Sequence, residues 1–275
     1  MRSRTRTVSM YGAIVFALVI ALFPIWWMIV TSFKQPVDIY SGVSLVPQHF
    51  TMDNYAELFR DRHFGSYLGN SLVVVALSVG ISLAVGTLGA YALTRSRIGE
   101  RIRRLSLVGA LVVRMVPPIL LAIPLYIVLG KLGLLDTKLG LIFVYAGLNV
   151  SLVVWMMESY LGEIPPEIEE AALVDGDTPL SALRRIILPL AAPGMVATAI
   201  FSVIVTYNEF LLALSFTSTP NSQTITVGVS TLIGKIQIEW GPMAAAGVIG
   251  AVPIIVFALL VQRHFVRGLT LGAIK

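Results

Sequence analysis

The sequence predicts an all-α integral membrane protein with six transmembrane helices. Its 275 residues are 56% hydrophobic and only 13% charged, about half the charged share of an ordinary soluble domain. Six apolar segments approach the roughly 20 residues that a helix needs to cross a bilayer core about 30 Å thick. The chain contains no cysteine, which excludes disulfide frameworks, thiolate chemistry and cysteine-based metal sites.

The predicted spans belong to a single transmembrane domain, 1–275. They cover residues 11–33, 67–94, 105–130, 139–160, 189–216 and 243–263. The first follows the basic stretch RSRTRT, as a signal peptide does, but its apolar run is long and ends in a tryptophan pair rather than a small-residue cleavage site. We therefore expect it to be retained as a span. Proline lacks the backbone donor that a helix interior needs, so kinks are expected at Pro117, Pro118, Pro124 and Pro253.

Basic residues are distributed unequally between alternate loops. Thirteen lysines and arginines lie in the two terminal segments and in the second and fourth loops, against six in the remaining loops. Short cytoplasmic loops are enriched in Lys and Arg, so both termini are predicted to be cytoplasmic. The same placement, between apolar runs, argues against a nucleic-acid-binding surface. The first external loop is predicted to hold a short helix at DNYAELFRD.

The longest cytoplasmic loop, residues 161–188, is a polar island in this apolar chain. Its first half predicts a short helix, because Pro166 suits a first helical position and acidic residues follow it near the positive end of the helix dipole. Gly176 is placed as a C-terminal stop. Ala171 and Ala172 leave this helix a narrow profile that another protein can approach closely.

A second short helix is predicted in the remainder of the loop. Thr178 and Pro179 provide a cap and a first turn, and Pro189 marks the return to the membrane. A solvated helical hairpin that merely links two spans is the alternative interpretation of this pattern.

The residue spacing in this loop is more specific than that alternative requires. The sequence places Glu170-Ala171-Ala172 and Gly176 ahead of Ile186, Leu188 and Pro189. This pattern resembles the EAA loop of permease subunits in binding-protein-dependent ABC importers. The stretches MVPPILLAIPLYIVLGKLGLLDTKLGLI, YNEFLLAL and VRGLTLGAIK resemble the carbohydrate class, and the size is similar to the smaller permease of maltose-type systems. The chain departs from that pattern at Tyr207, where the family usually has tryptophan, and at Lys275, after which its tail often has one more glycine.

The resemblance implies a type I ABC importer fold, a function and a set of partners. The chain would be half of the translocation pore for a sugar or related polyol, in the cytoplasmic (inner) membrane of a bacterium or archaeon. Its partners would be a second permease subunit, two ATPase subunits, an extracytoplasmic substrate-binding protein and the lipid bilayer, with no nucleic acid. In this family the EAA loop forms coupling helices that dock on the ATPase. The coupling residues would then be Glu169, Glu170, Ala171, Ala172, Asp175, Gly176, Ile186, Leu188 and Pro189.

The chain itself is expected to be non-catalytic. A phosphate-binding loop needs Gly, four residues, then Gly-Lys-Ser/Thr; the nearest stretch, GVSTLIGKI, has the wrong spacing and an isoleucine in place of the hydroxyl. No cofactor is expected on this chain, and the resemblance places ATP and Mg on the partner ATPase. The three histidines are scattered, so no metal site is predicted.

The C-terminal tail, 264–275, is short and contains two glycines, which by itself predicts disorder. The resemblance implies instead that it reaches the ATPase dimer. The contact residues would be Gly268, Leu269, Thr270, Gly272 and Lys275.

Polar residues within the spans are the remaining candidates. A charge at mid-bilayer costs at least about 2.5 kcal/mol, so Arg114 and Glu209 are expected to face protein or water. Together with Asn149, Tyr207 and Asn208 they are candidates to line or gate the translocation path, because sugars require amide, carboxylate and aromatic partners. The alternative is that they pair with a partner subunit or lie near an interface.

Two other classes of function stay open from the sequence. An ion-driven secondary transporter would use Arg114 and Glu209 as a relay, and an integral-membrane enzyme is the weaker third class.

Overall fold

A computed structural model describes residues 2–95, 98–234 and 238–271, with side chains between residues 10 and 261 of these ranges. The described residues form helices joined by loops, with isolated β-bridges at Lys34–Phe50 and Ile233–Ile238. The helices in chain order are α1 (Arg2–Ser32), α2 (Pro36–Tyr40), α3 (Asp53–Arg60), α4 (Phe64–Arg95), α5 (Glu100–Met115), α6 (Pro118–Lys131), α7 (Lys138–Gly162), α8 (Pro166–Val174), α9 (Pro179–Ala182), α10 (Leu188–Tyr207), α11 (Leu211–Phe216), α12 (Ile225–Ser230) and α13 (Trp240–Leu271). A π-helical turn, Leu183–Ile187, joins α9 to α10.

The described helices confirm the predicted all-α membrane fold class. Among the described residues, five segments are long and apolar enough to cross a bilayer: Met10–Ser32, Phe64–Arg95, Lys138–Gly162, Pro179–Tyr207 and Trp240–Val261. The bent pair α5 and α6 makes a sixth when it is counted as one span. The short helix predicted at DNYAELFRD is α3.

The third span differs from the continuous helix expected at 105–130. Helix α5 ends at Met115, α6 begins at Pro118, and the two are bent by 93°. Val116 is extended, with ψ of 120°, because a residue that precedes proline is driven out of the helical region. Pro117 and Pro118 then withhold two successive backbone donors, so the bend is sharper than the expected kink.

The fifth span, expected at 189–216, is also interrupted. Helix α10 ends at Tyr207 and α11 begins at Leu211. The break has a polar cause, since the carboxylate of Glu209 accepts hydrogen bonds from the backbone N–H groups of Leu212 and Ala213 and thereby starts a new helix. The last helix runs to Leu271, past the expected end at 263.

Two compact units divide the chain. One comprises residues up to Gly65 together with Gly228–Pro253, and the other comprises Ser66–Val227 and the residues from Ile254 onward. In the first unit, Asn54 donates to the carbonyls of Ser32 and Lys34 at 2.9 and 3.0 Å, which fixes α3 against the end of α1.

In the second unit, α7 is the central helix and packs against α4, α5 and α10. Small residues permit close approach: a Cβ at Gly86 of α4 would lie 2.6 Å from Val153, and one at Gly194 of α10 would lie 2.3 Å from the Tyr160 ring. Small residues at helix contacts are typical of membrane bundles. One cluster of buried side chains, including Ala90, Met157, Leu161, Leu183 and Ile187, seats the π-helical turn against α4 and α7.

Candidate functional site

The polar loop folds into a helical hairpin, α8–α9, as its proline, glycine and capping residues predict. Helix α8 ends at Val174, and Gly176 has a φ of +93°. The backbone N–H groups of Gly176 and Asp177 donate to the carbonyls of Leu173 and Ala172 at 3.1 and 3.0 Å, which closes the helix end in the manner of a glycine C-cap. The left-handed glycine stop is therefore confirmed.

The second helix of the hairpin begins with a side-chain cap. The hydroxyl of Thr178 accepts a hydrogen bond from the backbone N–H of Ser181 at 3.3 Å, and Pro179 occupies the first turn. The π-helical turn follows and precedes Pro189. It buries Leu183 and Ile187 and leaves Ile186 and Leu188 half-buried against the same core, so the last part of the predicted motif anchors the hairpin to the spans.

Two apolar side chains, Val174 and Leu180, remain exposed at the tip of the hairpin and are called the crest below. Val174 is 87% exposed and Leu180 is 60% exposed. Glu170, Ala171, Asp175 and Gly176 are exposed beside them. An open groove of about 480 Å³ runs along this face, lined by Ile168, Ala171, Ala172, Asp175, Gly176, Asp177, Arg185 and Ile186. The hairpin thus presents polar, small and apolar groups together on one accessible surface.

Glu169 faces the opposite way, into the chain. It is buried, and its carboxylate accepts a short hydrogen bond from the Tyr91 hydroxyl. Its Oε2 lies 3.1 Å from Nε of Arg95. Glu169, expected among the coupling residues on the ATPase side, is therefore directed at α4 of the same chain, and Glu170 is the exposed acid of the pair.

Tyr91 and Arg95 were not identified as site residues from the sequence. The sequence nevertheless contains a pattern that could have indicated them. Tyr91 and Arg95 lie at the end of the second predicted span, and residues four apart on a helix share one face. Arg95 also donates to the carbonyl of Ile164 at 2.8 Å. Because its side chain is only 12% exposed, the guanidinium of Arg95 requires such partners, since a buried charge is costly when unpaired.

Four of the candidates for the translocation path, Asn149, Tyr207, Asn208 and Glu209, lie around the break after α10. Glu209 accepts from the Tyr145 hydroxyl at 2.6 Å and from the backbone N–H of Leu212 at 2.9 Å. The side-chain amide of Asn149 donates to the Thr206 hydroxyl at 2.6 Å. The contacts of Glu209 with Tyr145 and of Asn149 with Thr206 tie the interrupted span to α7. Within this chain Asn149 and Glu209 therefore stabilise the break.

The other three candidates differ in exposure. Tyr207 is buried at the end of α10, whereas Asn208 is exposed and its side chain donates back to the carbonyl of Ile204 at 2.8 Å. Arg114 is exposed on α5 and forms no ion pair with an acidic side chain of the described residues. The structure therefore does not bring Arg114 to Glu209, and the relay that a secondary transporter would need has no support.

A polar contact joins the loop before α7 to the loop after α11. The carboxylate of Asp136 accepts hydrogen bonds from the backbone N–H groups of Ser218 and Thr219 at 2.8 and 3.0 Å, and a short one from the Ser222 hydroxyl. Partial burial raises the pKa of Asp136, but these donors outweigh it and hold the pKa at about 2. The loop 217–224 is thereby fixed to the start of α7.

These features define a class of protein: a helical membrane protein with broken spans that carries a structured hairpin between its fourth and fifth spans. Comparison with known proteins identifies the family within this class. The chain belongs to the family of inner membrane components of binding-protein-dependent transport systems, whose model matches residues 76–271.

Individual relatives match almost end to end. The trehalose/maltose transport system permease protein MalG of Thermococcus litoralis is 37% identical over 98% of this chain and 97% of its own length. The trehalose transport system permease protein SugB of Mycobacterium tuberculosis is 38% identical, over 96% of this chain and 97% of its own. A chain of a bacterial ABC transporter involved in alginate import shares the fold, with a TM-score of 0.78 at 22% identity, covering 94% of this chain and 97% of that one.

Proposed function

We propose that this chain forms half of the pore of an ATP-driven importer for a sugar or related polyol, and that energy enters through the α8–α9 hairpin. Two relatives of nearly the same length are named as trehalose or trehalose/maltose permeases, which supports the substrate class. The observation that carries the coupling role is the exposed crest at Val174 and Leu180. Apolar side chains in a polar hairpin are a feature of surfaces that bind another protein.

In this proposal the hairpin lies on the cytoplasmic side, as do both termini. Two ATPase subunits bind ATP and Mg, and one of them docks on the face formed by Glu170, Ala171, Val174, Asp175 and Gly176. Closure of the ATPases moves the hairpin, and the spans then rock between outward-open and inward-open states. A second permease subunit completes the pore, and an extracytoplasmic binding protein delivers the sugar.

The tail contact belongs to the same proposal. Gly268, Leu269 and Thr270 lie in the last turns of α13, whereas Gly272 and Lys275 lie outside the described residues. We place all five against the ATPase dimer. The tail would then be a second point of contact between this chain and the ATPases, separate from the hairpin.

The translocation path is proposed to pass the break after α10. Asn208 and Arg114, both exposed in this chain, are the candidates to face the path directly. Asn149 and Glu209 act from behind it, because the contact of Asn149 with Thr206 and those of Glu209 with Tyr145 and the start of α11 keep the span interrupted. Tyr207 is buried at the end of α10. An interrupted span leaves backbone polar groups available at membrane depth, which is tolerated where they face protein or a water-filled cavity.

Docking is tested by placing a charge on the crest. We expect Val174→Asp to lower co-purification of the ATPase with the permease pair, because a carboxylate buried in an apolar contact costs free energy unless it is paired. Val43→Asp is the matched control, since Val43 is 86% exposed and lies in the loop between α2 and α3. Equal ATPase recovery with both variants would contradict docking at the crest.

A further inference from the structure

We propose that Tyr91, Arg95 and Glu169 form a latch that makes the first hairpin helix, α8, move together with the second span, α4. The proposal rests on the function proposed above and deepens it, because it names the path by which movement of the hairpin reaches the bundle. The three residues position the coupling hairpin; none of them is assigned to contact sugar or ATP.

The first part of the latch is the carboxylate of Glu169. Both its oxygens are directed at α4: Oε1 accepts from the Tyr91 hydroxyl, and Oε2 lies 3.1 Å from Nε of Arg95. The side chains of Arg95 and Glu169 are 12% and 9% exposed. Water therefore screens this pair less than it screens an ion pair on the surface.

The second part is the guanidinium of Arg95, which also binds the end of α7. Its Nη2 donates to the carbonyls of Leu161 and Ile164 at 3.3 and 2.8 Å. Leu161 lies in the last turn of α7 and Ile164 just beyond it; carbonyls in this position carry partial negative charge, so they favour a cation here. One arginine consequently joins the ends of α4 and α7 to the start of α8.

Tyr91 adds a weaker contact to the other arm of the hairpin. Its hydroxyl lies 3.4 Å from the carbonyl of Pro179, at the first turn of α9. The end of α4 thus reaches both helices of the hairpin. The covalent connections of the hairpin run only to α7 and α10, so the latch supplies a link to a span that is remote in sequence.

This geometry determines how the hairpin can move. If α8 shifts when the ATPases close, the short, shielded contacts of Glu169 carry α4 with it, and α4 packs on α7 through Gly86. Without the latch, α8 can shift relative to α4 and part of the movement is lost before it reaches the spans. The hairpin would still dock, because the exposed crest does not include the latch residues.

Neutralising the latch should separate docking from coupling. In the assembled complex we expect Glu169→Gln to leave ATPase recovery and basal hydrolysis unchanged, but to reduce stimulation by the loaded binding protein by about fivefold or more, the lower end of typical coupling between two sites. Glu163→Gln is the control, because it removes an exposed acid three residues before α8. Tyr91→Phe, which removes one hydroxyl, is the milder second variant and should reduce stimulation less.

A double-mutant cycle tests whether the groups act as one unit. Arg95→Gln combined with Glu169→Gln should reduce stimulation no more than the worse single variant, because either change alone already breaks the ion pair. Additive losses would overturn the latch as a unit, and so would full stimulation of the Glu169→Gln complex.

A distance measurement tests the latch independently of sugar transport. Because this chain contains no cysteine, spin labels at Leu88→Cys and Glu167→Cys report only the separation of α4 and α8 when the partner subunits are cysteine-free variants. We expect one narrow distance distribution that is the same without nucleotide and with ATP, and a broader distribution in Glu169→Gln. A wild-type distance that changes with ATP would overturn the latch. A complex that does not assemble, or a wild-type complex without stimulation, would instead contradict the proposed function. In that case the labelled chain alone still tests the latch, through the broader distance distribution expected in Glu169→Gln.

Discussion

At the scale of single residues, Gly176 is the position in the hairpin whose backbone conformation favours glycine. Its φ of +93° is strained for any L side chain, yet a Cβ built there would meet nothing within 4 Å. Within this chain a substitution at this position therefore acts through backbone conformation and not through a steric clash. The left-handed region costs roughly 1 to 2 kcal/mol for a residue with a Cβ, and relief of that strain would redirect α9 relative to α8.

We expect Gly176→Val to insert normally and to abolish stimulation of ATP hydrolysis by the loaded binding protein. Insertion depends on the apolar length of the spans, which the change leaves intact. The matched control is Gly162→Val, because Gly162 also has no atom within 4 Å of its ideal Cβ but lacks the positive φ. Wild-type stimulation of the Gly176→Val complex would mean that the hairpin is only a linker.

Asp136 gives a prediction for pH. Its folded-state pKa of about 2 lies below the ordinary value of 3.8, so its stabilisation is fully present above pH 3.8 and is lost as the pH falls towards 2. At pH 7 we expect Asp136→Asn to lower the free energy of unfolding by about 1.5 kcal/mol, the low end for hydrogen bonds to a charged group.

The difference between wild type and Asp136→Asn should be the same at pH 7 and pH 5 and smaller at pH 3. Thermal unfolding of the detergent-solubilised chain measures it, with Asp61→Asn, an exposed acid at the end of α3, as control. A difference that grows as the pH falls would contradict the assignment.

Glu169 illustrates what the sequence could and could not predict at this scale. The motif contains two adjacent acids, Glu169 and Glu170, and adjacent residues on a helix point about 100° apart, so the two face different surroundings. Which one is buried depends on Tyr91 and Arg95, located more than 70 residues earlier. No local pattern in the loop contains that information.

At the scale of helices, local chemistry predicted the hairpin well and the span interruptions less well. Caps and glycine stops are local signals, and Gly176, Thr178 and Pro179 behave as their residue types require. The break after α10 has no proline or glycine to mark it. It depends on Glu209 reaching the N–H groups of the next helix and on Tyr145 from α7, which is tertiary information.

The contact between α10 and α7 is tested at Gly194. An added Cβ would lie 2.3 Å from the Tyr160 ring, so Gly194→Ala should destabilise the chain by about 1 to 3 kcal/mol, the usual cost of overpacking. Gly147→Ala is the control, since its Cβ would meet nothing within 4 Å. Thermal unfolding in detergent measures both, and Tyr160→Ala should partly rescue Gly194→Ala. Equal midpoints for the two alanine variants would contradict the close packing.

At the scale of the whole molecule, hydropathy alone predicted the fold class, because crossing a bilayer requires long apolar helices. Placement of basic residues predicted an orientation, which stays a prediction. The polar loop predicted the family, which comparison over residues 76–271 confirms. Side-chain partners inside the bundle, such as Tyr145 for Glu209 and Arg95 for Glu169, could not be predicted, because they join spans that are distant in sequence.

The central claim is that this chain transports only as part of a complex driven by ATP. The most direct test is uptake of radiolabelled trehalose or maltose into proteoliposomes that contain ATP, with ion gradients collapsed, for the full complex and for this chain alone. We expect flux from the full complex that ceases when ATP is omitted, and none from the single chain even under an imposed proton or sodium gradient. Gradient-driven uptake by the single chain would contradict the account and restore the secondary-transporter alternative.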